Sequence, residues 1–272
     1  MRVITASALV SLLLGACQPQ SDLGVSGLAI DDDDIAGVVT STNGPEAGVW
    51  VIAETDDLGT RFARIVVTDD EGRYVIPDLP EADYQLWVRG YGLVDSDKVA
   101  AGRGELLDLN ATVAPHAAAA AQVYPAAYWY SMMNLPTEDE VAQVDGGMNA
   151  YLTWVKNMGC VGCHQLGNER TRTIPASLAD VASSEEAWAR RISSGQAGNN
   201  MIGLATGRLK GLPLKYMAEW TDRIAAGELP HEVPERPSGV ERNVVATVRD
   251  WSSPQFYMHD LSGTDRRDPT VN

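Results

Sequence analysis

The sequence predicts a small antiparallel β-sandwich followed by an all-α domain. Between residues 35 and 113, short runs of β-branched and aromatic residues alternate with turn-forming residues such as Asn43-Gly44-Pro45, which is typical of a sandwich. Beyond residue 146 the apolar residues recur at helical spacing instead. The chain has 272 residues, which is enough for two domains with separate cores.

The charge of the chain excludes one class of partner. The formal net charge is −16, and the Lys and Arg residues are scattered along the sequence rather than clustered. A protein that binds nucleic acid needs a basic face to contact the phosphate backbone. We therefore expect no nucleic-acid partner and interpret the acidity mainly as a contribution to solubility.

Residues 1–17 have the composition of an export signal peptide. One positive charge at Arg2 precedes an apolar run that is too short to form a spanning helix. Leu14-Gly15-Ala16-Cys17 resembles the lipobox of bacterial lipoproteins, which implies cleavage before Cys17 and lipidation of that residue. An ordinary secretory peptide with a cysteine near its cleavage site is the alternative. We expect a periplasmic protein that a lipid anchor on Cys17 holds at a membrane.

Residues 18–34 are polar, contain Gly and Ser, and end in four aspartates. This composition predicts a flexible acidic tether. The spacing of the aspartates from Asp31 to Asp34 is not that of an EF-hand calcium loop. A solvated run of charge is therefore the preferred interpretation, and no metal is expected there.

Six strands are predicted in the first domain from their composition and bounding turns: Ile35–Thr40, Val49–Glu54, Ala63–Thr68, Arg73–Ile76, Tyr84–Val88 and Leu106–Val113. The order of Gly37-Val38-Val39, Gly48-Val49-Trp50-Val51 and Leu79-Pro80 resembles that of the carboxypeptidase regulatory-like, transthyretin-like domains. The resemblance implies that residues 35–113 form an accessory module without catalytic residues. Residues 114–145 follow as a linker with an alanine run and a short apolar segment.

The pentapeptide Cys160-Val161-Gly162-Cys163-His164 carries the strongest signal in the chain. Two thiols at this spacing can each add to one vinyl group of a haem, and the adjacent imidazole then lies beneath the iron. Cys160 and Cys163 are thus predicted to tether one haem c, with His164 as the proximal iron ligand. A redox dithiol or half of a zinc site are the alternatives, but the βαβ context of the first and the further ligands of the second are not visible.

Three helices are predicted around this motif from apolar spacing and capping signals: Met148–Asn157, a helix that a Ser-x-x-Glu capping box begins at Ser183, and Pro213 to about Ala226. The order of helix, CxxCH, middle helix, methionine-bearing loop and final helix resembles class I c-type cytochromes over residues 146–229. The resemblance implies an all-α cytochrome c domain that transfers single electrons, is not an enzyme, and meets a redox partner protein. The hypothesis that the acidic chain attracts a basic redox partner is less favoured.

Met201 is the candidate for the distal iron ligand. It lies 37 residues after His164, in the turn-rich stretch 195–203, which predicts a loop able to deliver a thioether to the iron. Its rival Met217 falls on the apolar face of the final helix, where core packing explains it. Four arginines flank the motif, and we expect one of them to pair with a haem propionate: Arg170, Arg172, Arg190 and Arg191.

The tail at residues 230–272 contains five prolines. Its segments Glu241-Arg242-Asn243-Val244-Val245 and Tyr257-Met258-His259-Asp260 resemble the start of a virginiamycin B lyase-type propeller. Three hypotheses therefore stand. The chain is an electron-transfer lipoprotein, the electron-relay segment of a larger exported propeller enzyme, or a sensing module with five-coordinate haem iron.

Overall fold

The computed structural model describes residues 28, 30–195 and 197–249. The signal peptide with Cys17, most of the acidic tether, and the end of the tail, including Met258 and His259, lie outside the described residues. Among the helices of the described ranges, none combines the length and the apolar character that crossing a membrane requires.

The first part of the described chain is built of strands, and one further strand follows the helices. Their bounds are β1 Ile35–Ser41, β2 Gly44–Pro45, β3 Trp50–Thr55, β4 Phe62–Val67, β5 Arg73–Ile76, β6 Tyr84–Arg89, β7 Leu93–Val94, β8 Val99–Ala101, β9 Glu105–Leu106, β10 Leu109–Asn110, β11 Thr112–Val113 and β12 Ala246–Arg249.

Two sheets face each other across one apolar core. The larger sheet has the strand order β12-β4-β3-β6-β8, and all of its neighbours are antiparallel, with Ile52 opposite both Ile65 and Trp87. The other sheet is centred on β1, which pairs with β2 and β5 in antiparallel and with β9 and β10 in parallel orientation. Fully buried side chains of both sheets, including Ile35, Val51 and Leu86, form the core between them. Buried positions alternate with less buried ones along β5 and β6, which places one face of these strands inward. In β3 five of the six residues are buried.

The second part consists of short helices. Their bounds are α1 Ala117–Ala121, α2 Ala126–Ser131, α3 Glu138–Val141, α4 Gly147–Lys156, α5 Cys160–Cys163, α6 Glu169–Arg172, α7 Ser184–Ile192, α8 Gly198–Ile202 and α9 Leu212–Ala225. One π-helical turn at Gly203–Arg208 continues α8, and two 3₁₀ turns lie at Ala176–Leu178 and Gly239–Asn243.

The longest helix, α9, organises this part of the chain. Proline at its second residue and the left-handed Gly211 before it fix its start. The fully buried Trp220 donates its indole N–H to the carbonyl of Trp129 in α2 at 2.8 Å, and Trp188 of α7 donates to the Thr221 hydroxyl at 3.2 Å. These two hydrogen bonds satisfy buried indole groups and hold α2 and α7 against α9.

The predicted fold class, a small antiparallel β-sandwich followed by an all-α cytochrome c domain, is wrong. The sandwich is mixed rather than antiparallel, because the 105–110 segment runs parallel to β1. The helical part does not stand as an all-α domain, because the chain after α9 returns to the first part and adds β12 to the larger sheet. The architecture is a β-rich region with a helical region inserted before its last strand.

Contacts of long sequence separation hold the returning segment in place. Arg236 forms an ion pair with the buried Glu46 at 2.6 Å and donates to the Tyr91 carbonyl at 2.9 Å. Pairs between residues so far apart cannot be predicted from a local pattern. The ion pair is partly buried, so its two charges are screened less than those of surface pairs.

Most individual elements lie where their local patterns place them. The predicted helix at Met148–Asn157 is confirmed as α4, and the helix begun by Ser183 is confirmed as α7. The Ser183 hydroxyl accepts from the Glu186 N–H at 3.2 Å, but the Glu186 carboxylate accepts from Ala182 rather than completing a capping box. The predicted strand Leu106–Val113 is divided into β9, β10 and β11.

Candidate functional site

The helix α4 leads into the cysteine motif through a tight turn at Gly159. A Cβ atom at this position would lie 2.2 Å from the carbonyl oxygen of Trp154 and 3.3 Å from the Leu204 side chain. Only glycine leaves room for this approach. The turn thereby places the motif against both the end of α4 and the π-helical turn that follows α8.

The motif itself forms the single helical turn α5. The N–H of His164 donates to the carbonyl of Cys160 at 2.9 Å, and His164 itself has extended backbone angles that end the turn. Cys160 and Val161 pack partly buried against the core around Trp220, whereas Cys163 is exposed. A Cβ atom at Gly162 would meet nothing within 4 Å. The motif therefore has one side on the core and one side open to solvent.

The protonation of these groups is set mainly by burial. Burial raises the pKa of the Cys160 thiol to about 11. Burial, and then the nearby charge of Arg191, lowers the pKa of His164. At neutral pH the site thus contains a protonated thiol and a neutral imidazole, and the neutral imidazole is the form that binds a metal.

The three side chains do not converge on one point. Among residues 28, 30–195 and 197–249, one set of His, Cys, Asp and Glu side chains brings its ligand atoms within 4.8 Å of one another, and it consists of Asp31, Asp33 and Asp34. Asp31 is exposed, whereas Asp33 and Asp34 are partly buried. A side-chain hydrogen bond shared with Asp31, together with loss of hydration, raises the pKa of Asp33. The motif therefore does not form a compact site for a single ion, and its two thiols and one imidazole are separate groups.

The loop after His164 lies directly on α2. At Gly167 the backbone has a φ of +97°, and a Cβ atom would lie 1.9 Å from the Ala126 carbonyl oxygen. The buried Arg172 donates to the Gly167 carbonyl at 3.1 Å and to the Gln122 side chain at 3.0 Å, while its guanidinium lies 4.2 Å from the Trp129 ring centroid. This loop is consequently fixed by backbone contact rather than by side-chain packing alone.

The structure separates the roles of the four flanking arginines. Arg170 and Arg190 are exposed, and Arg172 is taken up by the contacts described above. Arg191 donates to the carbonyls of Thr173 and Arg170, and its guanidinium lies 5.0 Å from the Trp188 ring centroid. Burial lowers the pKa of Arg191 to about 10. Arg191 is thus a half-buried cation near His164, and no described carboxylate pairs with it. It is therefore the arginine best placed to meet an anionic group at the motif.

Met201 lies in α8 rather than in the loop that the sequence predicts. Its N–H donates to the Ala197 carbonyl at 3.0 Å, and its side chain is partly exposed. The next residue, Ile202, packs against the same core as Cys160. Met217 is buried in that core, as its helical spacing predicts. A π-helical turn often marks a functional position in a helix, and here it begins two residues after Met201.

Comparison with known proteins gives no family for the chain. No family model matches, and no curated protein matches. A streptococcal ancillary pilin has a TM-score of 0.27 and 15% identity over 32% of this chain and 31% of its own. Catechol 1,2-dioxygenase from Pseudomonas arvilla has a TM-score of 0.24 and 16% identity over 32% of this chain and 54% of its own. A cohesin–dockerin complex from Acetivibrio cellulolyticus has a TM-score of 0.25 and 16% identity over 43% of this chain and 83% of its own. The match to the pilin thus spans less than a third of that protein.

Several residues that shape the site were not predicted from the sequence. The stacking of Arg208 over Trp154 at 4.8 Å, and of Lys156 over Tyr130 at 4.9 Å, depends on elements that meet only in the folded chain. Gly159 and Gly167 carry a weak local signal, because glycines that flank a motif often mark a close backbone approach.

We expect Gly167→Ala to lower the free energy of unfolding by roughly 3 kcal/mol, because a Cβ atom would clash with the α2 backbone and the positive φ disfavours alanine. Urea denaturation followed by circular dichroism measures the change. The matched control is Gly162→Ala, where the new methyl group meets open space and the change should stay within about 0.5 kcal/mol. Equal stability of the two variants would contradict the described contact between this loop and α2.

Proposed function

We propose that this chain carries one covalently bound haem c and transfers single electrons outside the cytoplasm. The observation that supports the proposal is the arrangement of Cys160, Cys163 and His164 on one half-exposed turn. Two thiols and a neutral imidazole on one turn, with ligand atoms that do not converge on one point, suit a macrocycle tethered at two places. The haem would supply the one-electron couple of its iron.

The alternatives from the sequence receive less support. A reactive dithiol requires a thiol with a lowered pKa, whereas burial raises the pKa of Cys160. Structural zinc requires four convergent ligands, and the described residues around Cys160 and Cys163 do not provide a convergent set. Of the three uses of this motif, a tethered haem is the one that agrees with both its geometry and its protonation.

The chain's own residues have separate roles in this proposal. Cys160 and Cys163 tether the macrocycle, and His164 binds the iron through its neutral imidazole. Apolar groups on the motif side, such as Val161, exclude water from one face. Arg191 holds a positive charge near His164, where it can pair with a propionate. No described residue is assigned a step in substrate chemistry, so the proposed function is electron transfer rather than enzymatic catalysis.

Covalent attachment is tested directly by extraction. Denatured protein treated with acid-acetone should keep its haem on the chain, because thioether bonds survive unfolding. The pyridine haemochrome spectrum of the pellet measures this, and Cys160→Ala/Cys163→Ala is the matched loss variant. Porphyrin that partitions wholly into the solvent from the unaltered protein would disprove the proposal.

Met201 is proposed as the distal ligand, and its thioether should give ferric protein a weak far-red band from sulfur-to-iron charge transfer. Met201→Ala should abolish this band. Met217→Ala should leave it in place, since Met217 belongs to the core. Met258→Ala should also leave it in place, since Met258 lies beyond residues 146–229, the range that resembles a cytochrome c. A band that persists in Met201→Ala would remove this assignment, and a band absent from the unaltered protein would indicate a second imidazole or a five-coordinate sensing site.

The proposed location is the periplasmic side of a membrane, with lipid on Cys17. Changing Cys17 to Ser should move the protein from the membrane fraction to the soluble periplasm with its haem intact, because the acyl chains provide the membrane affinity. Cell fractionation followed by haem staining measures the distribution. The same membrane association in both forms would contradict lipidation at this residue.

A further inference from the structure

The helical region contains a cavity that the proposed electron transfer does not use. Its volume is about 610 Å³, which lies within the range of roughly 300–1,000 Å³ that is usual for pockets that bind small organic molecules. Its walls come from α1, α6, residues 173–181, the start of α7 and the end of α9. The described residues that line it do not include Cys160, Cys163 or His164. The cavity therefore has its own walls, distinct from the motif.

Most of the cavity wall is apolar. Aliphatic side chains line it from the 3₁₀ turn, from the stretch before α7 and from the end of α9, namely Leu178, Val181, Ile224 and Leu229. All four are partly buried, so each keeps some apolar surface in contact with solvent. A ligand that covers this surface removes it from water, which is favourable. The cavity therefore favours a ligand with an aliphatic body.

One buried cation borders the cavity. Arg172 lines it and is 5% exposed. The Arg172 guanidinium donates to the Gln122 side chain at 3.0 Å and lies 4.2 Å from the Trp129 ring centroid. Gln122 and Trp129 line the same cavity. These contacts place the guanidinium group, and not only the backbone of Arg172, at the cavity wall.

No anion neutralises this charge among the residues that the structure describes. Arg172 forms no ion pair with a described carboxylate, and its two hydrogen bonds go to the neutral Gln122 side chain and the Gly167 carbonyl. A guanidinium has five N–H donors, so these bonds use two of them. Burial lowers the pKa of Arg172, as expected for a cation that has lost water. An anion that joined it would offset this cost of burial.

We propose that this cavity binds an aliphatic monocarboxylate of the fatty-acid type, with its carboxylate on Arg172 and its chain against Leu178 and Ile224. A carboxylate can accept two parallel hydrogen bonds from a guanidinium, and such charge-assisted bonds are the strong ones. The inference goes beyond the proposed electron transfer and does not depend on a haem.

The other charged residues of the wall limit the charge of the ligand. Glu169, Asp222 and Glu228 also line the cavity. Glu169 and Asp222 are exposed to water, and Glu228 forms an ion pair with Arg223 at 2.6 Å, so their repulsion of a single negative charge is weakened. A phosphate monoester carries about two negative charges and would meet one cation among three carboxylates. A monocarboxylate is therefore preferred to a phosphate.

Isothermal titration calorimetry with three ten-carbon probes tests this preference. The full chain with Cys17→Ser is used as purified, so that no detergent competes for the cavity. It should bind one decanoate per chain, at least about tenfold more tightly than decanol or decyl phosphate, because a hydrogen bond to a charged group is worth about 1.5–3 kcal/mol. Arg172→Gln should weaken decanoate binding about tenfold and leave decanol binding within about twofold.

A second variant tests the cavity without removing Arg172, which also holds the loop at Gly167. Leu178→Trp places a larger side chain in the cavity wall and should weaken decanoate binding at least about tenfold, since filled space excludes the ligand. The matched control is Leu135→Trp, at a leucine that is 46% exposed and does not line the cavity. This control should leave decanoate binding within about twofold.

Three results would overturn the inference: no decanoate binding by the unaltered cavity, equal affinities for decanoate and decanol, or unchanged decanoate binding in Leu178→Trp. Comparison with Cys160→Ala/Cys163→Ala separates this inference from the haem proposal. Decanoate binding with and without these cysteines supports the cavity whether or not the chain carries haem. Binding by this double variant alone would also overturn the inference, because the cavity would then be the space that the haem occupies.

Discussion

The burial of Trp220 connects the parts of the helical region on which the candidate site depends. Its indole ring lies fully buried in α9, and its N–H donates to the Trp129 carbonyl in α2. The same α2 supplies the backbone against which Gly167 lies. A buried tryptophan contributes a large apolar area together with one directional hydrogen bond. It therefore fixes both the distance and the orientation of α2 and α9, and through α2 the loop that follows His164.

The same core leaves the cysteine motif half covered. Cys160 and Val161 pack against it, while Cys163 and Gly162 do not. For the proposed haem, complete burial of the motif would prevent a redox partner from approaching, and complete exposure would leave the macrocycle in water. A position at the edge of a core gives low dielectric on one side and access on the other. This balance is what an electron-transfer group needs, because its potential depends on burial and its rate depends on access.

Charge is arranged by a similar division of the molecule. Residues 30–113 carry 18 of the 37 Asp and Glu of the chain and six Lys and Arg. Four of these six cations form ion pairs, for example Arg89 with Asp95. Around the motif the cations have no such partners among the described residues, and at Arg191 the cost of burial is met by neutral carbonyls and an aromatic ring. The helical region from Ala117 to Ala225 as a whole is close to neutral, with nine Lys and Arg and ten Asp and Glu. In the proposed haem protein, a propionate is the anion that Arg191 is placed to meet.

Local sequence determined the strands and helices, since hydrophobic periodicity, turn residues and caps act over a few positions. It also determined the CxxCH motif, whose five residues lie on one turn. The parallel pairing of β1 with β9 and β10, the return of β12 to the larger sheet, and the position of Met201 in a helix were decided by tertiary structure. The different surroundings of Arg172 and Arg191 were decided there too. Each of these features depends on residues that are distant in the sequence. Their pairing depends on loop-closure entropy and packing energy, and no local sequence pattern predicts it.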